Sequence, residues 1–236
     1  MEEVKKLLLL YKCPTKITNQ KGDRLLIQAV LQRHIMETIF SYATKYFQST
    51  GQHYHLESDI INKAHSLSTL LTNASKHRTG NDEVTNIALT KLRQQIYLIL
   101  NNHGFTDIFE DNAIYEHPFI AYHKKQLNKI TNELRIIKDD NEKIASENLA
   151  ANIIRKVVKI FWFSLKIQEP IVQYVWIPYN AKMDKTFMEG TNFDDSDDIE
   201  NLYVDLCYFP LTGKDLTSNN RKIYTPAKVF IRKDQY

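Results

Sequence analysis

No proline occurs between Pro14 and Pro118, and within that stretch glycine stands only at Gly22, Gly51, Gly80 and Gly104. In a helix interior proline costs about 3 kcal/mol and glycine about 1 kcal/mol relative to alanine. A chain that excludes both over such lengths therefore reads as a succession of long helices. Past Lys166 the texture changes, and Pro170, Pro178, Pro210 and Pro226 all fall there. The charge changes at the same place: 8 basic and 11 acidic residues from Gln168 onward, against 23 basic and 17 acidic before it. Both shifts put a boundary near Gln168. With 236 residues the chain is long enough to bury a sizeable core, as one domain or one domain with an ordered appendage.

Apolar residues recur at three-to-four spacing in five segments. The first runs through Leu26, Ala29, Val30, Met36, Ile39, Phe40 and Ala43, and the second through Leu56, Ile60, Ala64, Leu67, Leu71 and Ala74. Val84, Ala88, Leu92, Ile96 and Ile99 follow, then Ile120, His123, Leu127, Ile130 and Leu134, and finally Leu149, Ile153, Val157, Ile160, Phe161 and Leu165. Stripes of this spacing are expected to face inward in an antiparallel bundle or a short coiled coil. Asn81 or Asp82 is expected to cap the third segment and Ser146 to open the fifth. The reading is a mainly α chain: a bundle of about five long helices over residues 1–167, with a short extra helix at 2–12. Residues 168–236 are expected to be a small antiparallel β tail packed on the bundle. Its strands would be Val172–Ile177, Leu202–Phe209 and Lys228–Arg232, with Leu202, Val204, Leu206 and Tyr208 on one side. Asn180 to Asn201 is expected to be an exposed loop.

The residue inventory argues against several chemistries. No two of the six glycines lie within six residues of each other, so a phosphate-cradling loop of the Walker or dinucleotide type is excluded. Asp194-Asp195-x-x-Asp198 has the form of the aspartate-rich motif of terpene synthases and prenyltransferases, in which carboxylates a helical turn apart hold magnesium. It lies in a loop-like stretch with no second such motif, and reads as a solvated acidic loop. His53-x-His55 offers two ligands without a third, and His123, on an apolar stripe, reads as a hydrogen-bonded core histidine. Cys13 and Cys207 make no disulfide framework and read as reduced packing residues. No catalytic residue, metal or cofactor is expected. Neither a secretory signal nor an apolar run of about 20 residues is found, so the chain is expected to be intracellular, cytoplasmic or nuclear, without a membrane span.

Several stretches resemble a lineage-expanded, uncharacterised protein family of arbuscular mycorrhizal fungi. They are Lys91-Leu92-Arg93-Gln94-Gln95-Ile96-Tyr97, Gln168-Glu169-Pro170 after Phe161-Trp162-Phe163, Met188-Glu189-Gly190, Val204 to Leu211, and Lys222 to Val229. The resemblance spans most of the chain and carries across no activity, cofactor or site. It favours a regulatory or interaction role. The leading expectation is a non-enzymatic protein-interaction or scaffold module with a protein partner, using Tyr174, Trp176, Tyr208, Phe209 and Phe230 as aromatic anchors. The alternative is nucleic-acid binding through basic helical faces at Lys124, Lys125, Lys129, Arg155 and Lys156.

Overall fold

The computed structural model describes residues 2–15, 17, 23–48, 55–134, 139–191, 201–218 and 220–233. The helices are α1 (Glu2–Leu10), α2 (Asp23–Gln48), α3 (Leu56–His77), α4 (Asp82–His103), α5 (Pro118–Leu134) and α6 (Asp140–Val158). A π-helical segment, Lys159–Ser164, and the short α7 (Leu165–Ile167) continue α6. Eight strands join them among the described residues: β1 (Ile108–Glu110), β2 (Ala113–Tyr115), β3 (Gln173–Val175), β4 (Met188–Gly190), β5 (Leu202–Phe209), β6 (Leu211–Lys214), β7 (Lys222–Thr225) and β8 (Ala227–Lys233).

This corrects the expected fold class. The chain is not a five-helix bundle with a small antiparallel tail: its strands form three sheets, one of them inside the helical region and one containing a parallel pair, β4 with β8. The physical reason is strand length. Four of the strands are only three residues long, too short to leave a period-two pattern. The β1–β2 hairpin was nevertheless written in the chain. Asp111 and Asn112 both hold positive φ (50° and 59°), the two-residue turn that suits asparagine and aspartate, between Ile108-Phe109-Glu110 and Ala113-Ile114-Tyr115. Helix starts differ as well. Asn81 does cap α4, accepting from Glu83 N–H at 2.9 Å, but α6 opens six residues earlier than Ser146, capped by the Asp139 carboxylate on Asn141 and Glu142 N–H.

The chain divides into two compact units, Met1–Glu37, Glu133–Arg135 and Val172–Tyr236 forming one, Thr38–Asn132 and Ile136–Ile171 the other. In the first unit, β5–β6 and β7–β8 are two long arms, each broken at a proline, Pro210 and Pro226, where it passes from one three-stranded sheet to the other. Leu202, Val204, Cys207, Val229 and Ile231 fill the core that also holds Met183, Met188 and Leu211. Leu206, Tyr208 and Phe230 instead meet Val4 and Leu8 of α1 and Leu26, Ala29 and Val30 of α2. So Leu206 and Tyr208 do not share a side with Leu202 and Val204. The β5–β8 register shifts between Val204 and Leu206 and again between Cys207 and Phe209, and the first extra residue turns the side chains that follow it to the other face.

That extra residue is Asp205, whose side chain is wholly buried. Cys13 Sγ donates to its carboxylate at 2.9 Å, Thr15 Oγ1 donates to the same oxygen, and Arg232 lies 3.9 Å away as counter-charge. Asp205→Ala leaves these partners facing an empty site, and the expected cost is about 3 kcal/mol, read as a lowered urea midpoint.

The second unit is built around rings. Phe40 meets Phe161 at 4.8 Å and Trp162 at 5.3 Å, while Tyr46 meets Phe105 and Phe119 at 5.1 and 5.0 Å. Such pairs add about 0.5–1.5 kcal/mol each beyond burial. Gly104, where α4 ends, fits only because it lacks a side chain: a Cβ there would stand 2.8 Å from Phe163 Cε2 and 2.5 Å from Leu100 O. Gly104→Ala should cost about 1–3 kcal/mol. Equilibrium unfolding of the Gly104→Ala/Phe163→Leu double variant should show less than the sum of the two single losses, because the smaller side chain makes room.

Candidate interaction surface

From Asp59 through Ile99 no residue is buried. This is the α3–α4 hairpin, and its seam departs from the expected inward stripes. The half-buried positions that mark the seam of α3 are Ile61, Ala64, Ser68, Thr72 and Ser75. Those facing them on α4 are Thr85, Leu89, Leu92 and Ile96. After Ile61, α3 thus gives the seam only small or hydroxylated side chains, and α4 fills it with two leucines and an isoleucine. The Ser68 and Thr72 hydroxyls donate back to the carbonyls of Ala64 and Ser68, four residues earlier.

The other large apolar side chains point elsewhere. At about 100° per residue, Leu56, Ile60, Leu67, Leu70, Leu71 and Ala74 lie on one flank of the α3 seam, and Asn62, His65, Ser66, Thr69, Asn73 and Lys76 on the other. On α4 the same rotation puts Val84, Ala88, Leu98 and Ile99, with Gln95 among them, on one flank. Glu83, Asn86, Thr90, Arg93, Gln94 and Asn101 fall on the other, with the half-buried Tyr97 among them. The helices run antiparallel, and equal rotation about opposed axes, measured from facing seams, brings both apolar flanks to the same side. The hairpin is therefore an amphipathic plate, one face apolar and one polar. Leu56, Leu70 and Val84 are 68%, 66% and 63% exposed. By helix rise and spacing the plate is about 30 Å long and two helices wide, so its apolar face is of the order of 500 Å².

The polar side is the one attached at the base. Arg93 donates to Lys166 and Gln168 carbonyls and pairs with Glu169, Gln94 Nε2 donates to Ile167 O at 3.0 Å, and Ser164 Oγ donates to Asn101 Oδ1 at 2.8 Å. Glu57, in the first turn of α3, is buried and anchors the other helix at the base. Its carboxylate accepts from Tyr46 Oη at 2.5 Å and from Phe105 N–H at 3.0 Å, and His117 Nε2 lies 3.5 Å away. Phe119 N–H donates to His117 Nδ1, which leaves the ring proton on Nε2, facing Glu57. Burial alone raises the Glu57 pKa, but the donors from His117, Phe105 N–H and Tyr46 outweigh it and bring it down to about 2. Burial and the adjacent Glu57 push the Tyr46 phenol far up.

The residues singled out from sequence are placed as follows. Tyr208 and Phe230 are buried, at 8% and 7% exposure, in the core with α1 and α2, so they are not surface anchors. Trp176 is half-buried with the Arg33 guanidinium 3.5 Å from its ring centroid; Phe209 is half-buried, and Tyr174 is exposed on β3. Phe209 borders an open groove of about 550 Å³ with Leu25, Gln28, Gln32, Thr225 and Lys228. Among the basic residues, Lys124 pairs with Glu116 at 2.7 Å, and Arg155 donates to Phe105 O and pairs with Asp107. Lys125, Lys129 and Lys156 complete that set, and all three are exposed. His55 stacks on Tyr46 at 4.3 Å, while His53 and the Asp194–Asp198 run lie outside the described residues. Among the described residues no group of His, Cys, Asp or Glu is arranged to hold a metal ion, and no helix is long and apolar enough to cross a membrane. Burial and then Asp205 push the Cys13 thiol far above its usual range, so it stays protonated.

Sequence reasoning missed Glu57 and His117. The only available signal was a glutamate in a helical first turn, which is ordinary, and the convergence of the network's donors is tertiary. It placed Leu92 and Ile96 inward, and they do line the seam, but it assigned Leu67, Leu71, Val84 and Ile99 inward as well, and these face out. No protein-family model matches the chain, no curated protein matches it, and no solved structure matches it.

His123 was expected to be hydrogen-bonded; instead it stacks on Tyr42 at 4.0 Å and meets Phe119 at 4.5 Å, with no hydrogen bond to Nδ1 among the described residues. Burial, with a smaller contribution from Lys45, lowers its pKa from 6.5 to about 4. A histidine harder to protonate when folded withdraws stability as the pH falls from about 6.5 to about 4, and a His123→Phe variant should be spared that loss. Glu57 acts in a lower window: its contribution is complete above about 4.5 and disappears as the pH falls through about 2. Glu57→Gln should flatten only that lower limb. Urea midpoints measured from pH 7 to pH 2 separate the two.

Proposed function

We propose that this chain is a non-enzymatic protein-interaction or scaffold module that docks its partner on the apolar face of α3 and α4. One observation carries the reading: a 41-residue stretch with no buried residue turns Leu67, Leu70, Val84, Leu98 and Ile99 to solvent, while α3 gives its seam mostly serine, threonine and alanine. Helices in proteins draw most of their stability from packing an apolar face, and soluble monomers rarely expose contiguous apolar patches larger than a few hundred Å². The β1–β2 hairpin of the same unit adds to this, with Phe109 and Ile114 paired across the strands at 72% and 74% exposure. The buried titratable groups support the non-enzymatic part. Glu57 is held ionised by convergent donors, and Cys13 is held as a thiol. Neither is poised near neutral pH as a base or a nucleophile.

The test is affinity capture from native lysate, with and without nuclease, of the chain and of two variants. Leu70→Ser/Val84→Ser changes exposed residues and should leave the far-UV circular dichroism and unfolding midpoint nearly unchanged. It should reduce recovery of a stoichiometric, nuclease-resistant partner at least tenfold. Tyr174→Ser should not. Capture that depends instead on nucleic acid and on Lys125, Lys129 and Lys156 overturns the reading in favour of nucleic-acid binding.

A further inference from the structure

The chemistry of the α3–α4 face specifies its occupant, an inference that rests on the interaction reading above. Two charged residues lie within the apolar flanks, Lys63 on α3 and Lys91 on α4, and the nearest carboxylate, Asp59, stands at the outer edge of the α3 flank. Both lysines are exposed, and neither has an ion-pair partner among the described residues. We propose that the face receives a single amphipathic helix whose apolar stripe is bordered by aspartate or glutamate, laid along the groove between α3 and α4 to complete a three-helix layer.

Charge and size select this occupant. A second copy of the same face would set lysines against lysines and leucines, with no carboxylate inside the flanks to receive them. A lipid surface suits a helix whose basic residues stand on its polar flank beside aromatic anchors. Here the lysines sit among the leucines, and the polar flank is mostly Asn, Ser, Thr and Gln. A protein helix alone can bring carboxylates to two lysines enclosed by an apolar surface while its own leucines cover Leu67, Leu70, Leu71 and Val84. The size agrees: α3 has 22 residues, so one helix of about 20 residues spans it, and a face of several hundred Å² approaches one partner's share of a standard interface.

Two synthetic 20-residue peptides test this on the full chain by fluorescence anisotropy at 50 mM and 300 mM salt. Both carry leucines at helical a, d and e spacing; glutamate borders the stripe in one, lysine in the other. The glutamate peptide should bind about tenfold more tightly than the lysine peptide at low salt, and the preference should shrink at high salt. Leu70→Ser/Val84→Ser should abolish binding of both, and Lys63→Glu/Lys91→Glu should reverse the preference, with circular dichroism showing each variant folded.

Equal binding of both peptides, or tighter binding of the lysine peptide, overturns the acidic occupant and leaves the interaction reading standing. A dimer in sedimentation velocity that Leu70→Ser/Val84→Ser dissociates assigns the face to a second copy. Retention on phosphatidylcholine–phosphatidylserine vesicles, lost in the same variant, assigns it to a membrane. Either result, with no peptide bound, overturns the proposal. If peptides, vesicles and self-association all fail, and lysate capture is indifferent to Leu70 and Val84, both readings fall together.

Discussion

A carboxylate buried at the foot of α3 fastens the α3–α4 hairpin to the rest of its unit. Glu57 accepts from the Tyr46 phenol on α2, from the Phe105 N–H just past the end of α4, and faces the His117 N–H ahead of α5. One side chain thus ties the start of α3 to the residue beyond α4. A buried carboxylate without donors costs several kcal/mol; with convergent donors it becomes a rigid joint. Gly104 tightens the same joint by letting the end of α4 close on Phe163. Beyond this base no residue of the plate is buried, and its helices hold each other through a narrow seam in which Leu89, Leu92 and Ile96 lie against small side chains of α3.

Asp205 plays the corresponding part in the other unit. As the extra residue of the β5 bulge it rotates Leu206 and Tyr208 away from Val204, so that one strand serves two cores. Its carboxylate then receives Cys13 and Thr15, which joins the segment after α1 to the sheet. In both units a lone buried acid organises segments distant in sequence, and in both its partners are donors from the chain itself. Groups arranged in this way hold distant segments of the chain together, and the exposed apolar face of α3 and α4 lies beyond them.

Much of the helical layout was legible. Long stretches without proline or strong helix breakers, a cap at Asn81, and three-to-four spacing located α2 to α5 within a few residues, because helix periodicity and capping are local properties. The hairpin turn at Asp111-Asn112 was legible too and went unread. The remaining short strands were not. Three or four residues carry too little pattern, and their pairing joins residues far apart in the chain, Gln173 with Gly213 in β3–β6 and Met188 with Ala227 in the parallel match of β4 with β8. Tyr208 and Phe230 look like anchors in the sequence and are interior in the fold, since an aromatic residue suits either place equally.

Residue spacing alone sets roughly where the long helices lie, excludes a glycine-rich phosphate loop, and gives α3 and α4 an apolar and a polar flank each. Those facts follow from spacing along one chain. Which flank faces the protein depends instead on packing between segments distant in the chain. The rotational phase of each helix depends on what anchors its ends, and here Arg93, Gln94 and Asn101 bind the polar side of α4 while Glu57 fixes the foot of α3. The same stripe of leucines would have been core had the base gripped the other flank. Because it does not, Leu67, Leu70 and Val84 stand exposed to solvent.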